Sequence, residues 1–196
     1  MNSSTSPTCN IVSFWLMPSE SETALWQPLL DTLADHYNTP QFTPHITVAL
    51  SRDASPTLVD KQHLNTVLVQ VARRLSPLTL DVGPIQTGEN FFQCVFARMQ
   101  TEPVAEIARA LARQIETLSP GAKTSPTTSA HLSLLYANIK TAQREMLASQ
   151  IVAPSPTLVF DRLGAVLPGD GETDFSNPER WELRSQVMLG SGKPPR

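Results

Sequence analysis

Pro44-His45-Ile46-Thr47-Val48-Ala49-Leu50 places two reactive side chains on an extended segment whose alternate positions are apolar. Residues i and i+2 of a strand share a face, so His45 and Thr47 look one way while Ile46, Val48 and Leu50 look the other. One face carries chemistry and the other packs a core. The pattern returns 86 positions later as His131-Leu132-Ser133-Leu134-Leu135, with Ser in place of Thr. The chain has four histidines, and two of them open this motif. A single His-x-Thr arises readily by chance, whereas two copies in strand-like settings half a chain apart point to function.

Working outward from the first motif, Thr39-Pro40 and Thr43-Pro44 impose extended backbone just before His45. Upstream, residues 11–17 read as a buried strand stopped by Pro18, with Ser13 and Trp15 on one face. Ser19-x-x-Glu22 resembles a capping box opening a helix that runs to about Tyr37, with Leu25, Leu29, Leu30 and Leu33 inward. Pro28 implies that this helix either begins near Trp26 or is kinked there. Downstream, a polar loop over 51–57 precedes a second helix on which Leu64, Val67, Leu68, Val71 and Leu75 recur at helical spacing. Residues 78–85 and 91–99 read as strands of a hairpin joined by 86–90. A third helix over about 103–118 carries the cleanest apolar stripe. Residues 119–130 then form a long loop delivering His131. A weaker helix around 142–150 and two strands, 157–167 and 180–189, close the chain about an acidic 168–178 loop.

Helices and strands interleave, yet several strand pairs are joined by connections that only antiparallel neighbours can use, which gives an α+β fold. The two motifs, one in each half, suggest two similar lobes facing one another across a cleft. A chain of 196 residues fits one domain with its own core. We expect a single bilobal domain, with flexible tails at about 1–9 and 190–196. Net charge near −3 argues against a grip on long nucleic acid. Cys9 and Cys94 make neither a disulfide framework nor a zinc pattern, and neither a signal peptide nor a membrane span is evident. These features lead us to expect a soluble cytoplasmic monomer with a small-molecule ligand and no membrane partner.

Two imidazoles facing each other can act as base and acid, one taking a proton from water and the other giving one to a leaving oxygen. The Thr47 and Ser133 hydroxyls would sit beside the reacting group and donate to its oxygens. A tetrahedral phosphate suits that arrangement best. The motifs bring no further ligand at metal spacing, no nucleophile elbow surrounds Ser133, and a purely structural role explains one histidine but not the repetition. Neither a metal nor a cofactor is expected. His36 and His63 read as surface residues. Trp15 is either core or a platform for a base, and Phe91 and Phe92 could flank a base but read first as core. Tyr136 follows Ser133 by three residues, so strict alternation turns it away from the cleft unless the strand bends or ends.

At these residues the chain resembles the two-histidine (2H) phosphoesterase superfamily and, within it, the cyclic phosphodiesterase family of plants and fungi. The resemblance is carried by Val12-Ser13-Phe14-Trp15, the two His motifs, Phe91-Phe92-Gln93-Cys94-Val95-Phe96, Tyr136-Ala137 and Arg180-Trp181-Glu182. It implies a bilobal fold with two antiparallel sheets around a central cleft and helices outside. It also implies metal-independent opening of small cyclic phosphates: ADP-ribose 1″,2″-cyclic phosphate, a by-product of tRNA splicing, to ADP-ribose 1″-phosphate, and nucleoside 2′,3′-cyclic phosphates to 2′-phosphates. By the same resemblance His45 and His131 are the catalytic pair, Thr47 and Ser133 bind the phosphate, Tyr136 binds substrate and Trp15 lies near the base or phosphate. Two alternatives stay open: a 2′,5′-phosphodiesterase or RNA-end-processing enzyme, and a phosphate-binding module without turnover.

Overall fold

The computed structural model describes residues 11–52, 58–169, 174–191 and 193. Residues 1–10 with Cys9, residues 53–57 of the expected polar loop, residues 170–173, and residues 192 and 194–196 of the expected C-terminal tail lie outside them. The described elements are β1 (Val12–Pro18), α1 (Glu20–Tyr37), β2 (Ile46–Arg52), α2 (Lys61–Ala72), β3 (Leu78–Thr87), β4 (Val95–Met99), α3 (Thr101–Leu118), β5 (Lys123–Pro126), β6 (His131–Leu135), α4 (Thr141–Gln150), β7 (Thr157–Leu167) and β8 (Glu182–Met188).

The order β1-α1-β2-α2-β3 is repeated as β4-α3-β6-α4-β7, with β5 inserted before β6 and β8 appended. Each half exchanges its last strand with the other. β1 pairs with β2 and with β7, while β4 pairs with β6 and with β3, all antiparallel. β3 and β7 then pair with each other, Leu78↔Phe160 to Asp81↔Thr157, and join the halves in the order β5-β2-β1-β7-β3-β4-β6. β8 lies beside the C-terminal part of β7. The helices cover the strands: α1 contacts β1 and β6, α2 contacts β7 and β8, α3 contacts β2 and β5, and α4 contacts β3 and β4. One continuous apolar core, including Phe14, Trp26, Ile46, Leu68, Leu111, Leu132 and Phe160, fills the space between.

Several expectations need correction. The Ser19 cap forms, its hydroxyl accepting the Glu22 N–H at 3.3 Å, and α1 starts at Glu20 with Pro28 inside it. Its buried face is Trp26, Leu30, Leu33 and Ala34, whereas Leu25 is 47% exposed, so the stripe is rotated about one position from the sequence reading. Phe91 and Phe92 belong not to a strand but to a 3-10 turn over Phe91–Gln93, where the Asn90 side chain accepts the Gln93 N–H at 3.0 Å. A side chain at Gly88 would meet the Gln93 carbonyl oxygen at 2.6 Å, so that turn needs glycine there. The expected loop before His131 holds a strand, β5, added to the edge of β2.

The irregularities of pairing matter most for the site. Between β1 and β2 the register steps from Phe14↔Ala49 to Trp15↔Thr47, leaving Val48 as an extra residue. Between β4 and β6 it steps from Val95↔Leu135 to Phe96↔Ser133, leaving Leu134 extra. Both His-x-Thr/Ser motifs therefore end in a β-bulge, one residue after the hydroxyl. A bulge reverses the alternation beyond it. Leu50, expected in the core, lines the cleft instead, and Tyr136 at the matching place in the second half is turned into the cleft too.

Candidate active site

The two bulged strands, β2 and β6, present their hydroxyl faces to one cleft of about 610 Å³, lined by Trp15, His45, Thr47, Phe92, His131, Ser133, Tyr136 and Trp181 among others. That volume suits a small-molecule ligand. All six residues singled out from the sequence, Trp15, His45, Thr47, His131, Ser133 and Tyr136, are brought together here.

The histidines are held alike. The His45 Nδ1–H donates to the Thr43 carbonyl at 2.7 Å, and the His131 Nδ1–H donates to the Ser129 carbonyl at 2.9 Å. A carbonyl can only accept, so in both rings the neutral tautomer carries its proton on Nδ1 and leaves Nε2 unprotonated, with a lone pair that can accept. Each acceptor lies two residues before its histidine, a repeat of local backbone geometry that matches the repeat in sequence. Pro44 helps to fix the first copy by keeping Thr43 extended.

Their surroundings differ. His45 is 4% exposed and lies flat on Trp15, with ring centroids 3.6 Å apart and planes 9° from parallel. Trp15 is itself fixed by donating its indole N–H to Ser13 Oγ at 2.8 Å. Burial therefore pushes the His45 imidazole down to about 4; the Thr43 carbonyl works against this shift and the nearby His131 adds to it. His131 is less buried and meets the edge of Phe96 at 5.2 Å. Burial lowers its pKa too, opposed by the Ser129 carbonyl and assisted by Arg98.

Around the pair, the Tyr136 hydroxyl stands 3.5 Å from His45 Nε2, and its ring stacks on Phe42 with centroids 3.8 Å apart. Burial pushes the Tyr136 phenol well above its ordinary range, with the Ser133 hydroxyl acting the other way, so the phenol is a hydrogen-bond donor at neutral pH. Ser133 Oγ donates to the Phe92 carbonyl at 2.9 Å and must rotate to donate to a ligand. Thr47 is half-buried on the cleft wall.

The sequence reading missed Trp181 and Phe175 as site residues. Trp181 packs edge-on against Trp15 at 5.5 Å and against Tyr136 at 5.7 Å, and its indole N–H donates to the Phe175 carbonyl at 3.2 Å. The sequence reading puts it in the strand over 180–189, whereas β8 begins at Glu182 and Trp181 caps the turn Pro178–Arg180 before it; the family-like Arg180-Trp181-Glu182 triplet is the signal that could have flagged it. Phe92, read first as core, is a half-buried wall of the cleft. His36 and His63 stay outside the cleft, His63 pairing with Asp60 at 3.3 Å on the surface. Among the described residues there is no group of three or more His, Cys, Asp or Glu side chains that could hold a metal ion. No described helix is long and apolar enough to cross a membrane.

Paired His-x-Thr/Ser strands around one cleft, in an antiparallel α+β fold with internal symmetry, define a 2H phosphoesterase. Residues 11–159 match the family of cyclic phosphodiesterase-like proteins, and the chain belongs to that family. It is 26% identical over 175 residues to the cyclic phosphodiesterase of Arabidopsis thaliana, a stretch covering 88% of this chain and 92% of that protein. The fold is also that of E. coli LigT, with a TM-score of 0.55 at 16% identity over 92% of this chain and 98% of that one. The Thermus thermophilus protein TT0787 gives a TM-score of 0.55 at 14% identity, again over 92% and 98% of the two chains.

Proposed function

We propose that this protein hydrolyses small cyclic phosphates without a metal, opening nucleoside 2′,3′-cyclic phosphates to 2′-phosphates and ADP-ribose 1″,2″-cyclic phosphate to ADP-ribose 1″-phosphate. The observation that carries the reading is the matched fixing of both Nδ1–H groups on backbone carbonyls, which leaves two unprotonated Nε2 atoms on residues that line one cleft beside two hydroxyls. In this scheme His45, held neutral by burial against Trp15, is the base. Its Nε2 takes a proton from water as the water oxygen bonds to phosphorus. His131, less enclosed, enters protonated and gives its Nε2 proton to the ribose oxygen as the opposite P–O bond breaks. A bound phosphate anion favours that imidazolium. The Thr47, Ser133 and Tyr136 hydroxyls donate to the oxygens on which charge builds.

Turnover of adenosine 2′,3′-cyclic phosphate, ADP-ribose 1″,2″-cyclic phosphate and a 2′,5′-linked dinucleotide is the direct test. Cleavage of the dinucleotide alone would favour the 2′,5′-phosphodiesterase reading, and tight binding without turnover would favour the binding module. Activity is expected to survive exhaustive EDTA treatment, since imidazolium and hydroxyl donors supply the charge stabilisation. Loss restored by one added metal would overturn that scheme. Thr47→Ala and Ser133→Ala are each expected to raise the barrier by about 1.5–3 kcal/mol, one hydrogen bond to a charged oxygen, read as kcat/KM on the same substrate. A smaller loss at Ser133 would mean that its bond to Phe92 persists in the complex.

A further inference from the structure

The two halves fix their histidines through the same Nδ1 bond but set different supports against the rings. On β1, alternation sends Val12, Phe14 and Leu16 into the main core and turns Ser13 and Trp15 to the cleft face. Trp15 pairs with Thr47 just past the bulge, and in the second half Phe96 pairs with Ser133 at the matching place. Each of these aromatic rings stands against the histidine of its own motif. Trp15 lies parallel to His45, with planes 9° apart and centroids 3.6 Å apart, whereas Phe96 meets His131 edge-on at 64° and 5.2 Å. The residue two before Trp15 is Ser13, and the residue two before Phe96 is Cys94.

Ser13 is the one hydroxyl in β1, a strand buried along its length and otherwise apolar or aromatic. It is 4% exposed, and its Oγ accepts the Trp15 indole N–H at 2.8 Å. That bond needs an N–H that phenylalanine lacks and an acceptor stronger than a thiol, so Cys94 and Phe96 cannot copy it. The bond also decides the tilt of the indole. A buried N–H without an acceptor is costly, so without Ser13 the ring would turn toward another acceptor or water and lose its parallel contact. His45 depends on that contact. Its bond to the Thr43 carbonyl holds one atom of the imidazole and lets the ring swing about the bond. The flat indole stops the swing and keeps water off one face of the ring.

We propose that Ser13 is a positioning residue for the base: through the Trp15 N–H it holds the indole flat on His45 and so sets the plane in which Nε2 meets the attacking water. The proposal deepens the acid–base reading of this cleft and rests on it. Ser13 lies on the cleft face, yet it acts through Trp15 and not on the substrate. Among the described residues, the titratable groups that act on His45 are Tyr136, whose hydroxyl is 3.5 Å from Nε2, and His131, whose charge opposes protonation. Both reach it from the second half of the chain, and neither is altered by a substitution on β1.

Ser13→Ala, Trp15→Phe and the double variant form a cycle that separates this role from a direct one. The first readout is NMR titration of the His45 ring, which needs no turnover. In wild type the ring should stay neutral down to about pH 5, and in Ser13→Ala it should titrate about one unit higher as water reaches it. Trp15→Phe keeps a ring but removes the N–H, so it should raise the titration too, and adding Ser13→Ala to it should change nothing further. The second readout is hydrolysis of adenosine 2′,3′-cyclic phosphate. Ser13→Ala should lower kcat about tenfold and move the acid limb of kcat/KM upward with the titration. Affinity for adenosine 2′-phosphate at about pH 8, where both imidazoles are neutral, should stay within about twofold of wild type. An unchanged His45 titration in Ser13→Ala, a double variant whose shift is the sum of the singles, or a weakened affinity in Ser13→Ala would each overturn the positioning role. An inactive wild type whose His45 titration still responds to Ser13→Ala would overturn the reaction and leave the link from Ser13 through Trp15 to His45 standing.

Discussion

Alanine at His45 or at His131 is expected to lower turnover of a 2′,3′-cyclic phosphate by roughly 10²- to 10⁴-fold, the range for loss of a general acid or base. Neither ring can replace the other, because each is pinned through Nδ1 to its own backbone carbonyl. The two substitutions differ in their structural cost. His131 is only partly enclosed, whereas His45 fills the space between Trp15 and Tyr136 and is 4% exposed. His45→Ala therefore leaves a void beside Trp15 and should lower Tm as well. His45→Gln keeps most of the volume and a polar end but cannot relay a proton. Turnover should fall alike in both His45 variants, while Tm falls chiefly in the alanine. The checks are product formation under single-substrate conditions and thermal unfolding. Near-wild-type turnover in any one His variant would leave only a single-histidine mechanism or the binding module.

The chemistry of this cleft is legible from sequence because it repeats, and the walls are less so because they do not. His45, Thr47, His131 and Ser133 stand at the same spacing on two strands, and alternation alone puts each pair on one face. The N-cap at Ser19 and the stripe of α3, with Val104, Ile107, Ala108, Leu111 and Ile115 buried, are equally readable as local patterns. The features that escape are cross-strand or tertiary. A bulge is a property of two strands in register, so nothing in Thr47-Val48-Ala49 or Ser133-Leu134-Leu135 announces that Leu50 and Tyr136 will turn inward. β5 has no apolar alternation to betray it, since its partner is the edge of β2. Trp26 escapes as the anchor of α1 because Leu25 offers a similar apolar residue one position away; only the packing of the helix selects between them. Trp181 and Phe175 meet the site from the segment before β8, which the sequence reading assigns partly to a strand over 180–189 and partly to the acidic loop, and no period marks either side chain as facing the cleft.

Acid should act on this protein through its least exposed imidazole, and the direction follows from the folded pKa of His45, which burial takes to about 4 from an ordinary value of 6.5. Between those values the unfolded chain binds a proton that the folded chain refuses, so stability is intact above pH 6.5 and is lost as pH falls toward 4. The full difference corresponds to about 3 kcal/mol, and His131, shifted the same way, adds to the slope. Urea unfolding of wild type and His45→Gln across this window should show a steep loss for the former and a shallower one for the latter. Equal slopes would mean that His45 is not held neutral. The same shift shapes catalysis. With His45 as base and His131 as acid, kcat/KM should trace a bell whose acid limb lies well below the ordinary histidine range and whose maximum lies on the acid side of neutrality. The kcat profile should sit at higher pH, because a bound phosphate anion stabilises both imidazolium forms. In residual activity, His45→Gln should remove the acid limb and His131→Gln the alkaline limb. The His45 limb also depends on the other ring, because His131 helps to lower the His45 pKa. Loss of that charge in His131→Gln should shift the surviving acid limb toward higher pH, and an exchange of limbs between the two variants would reverse the roles of base and acid.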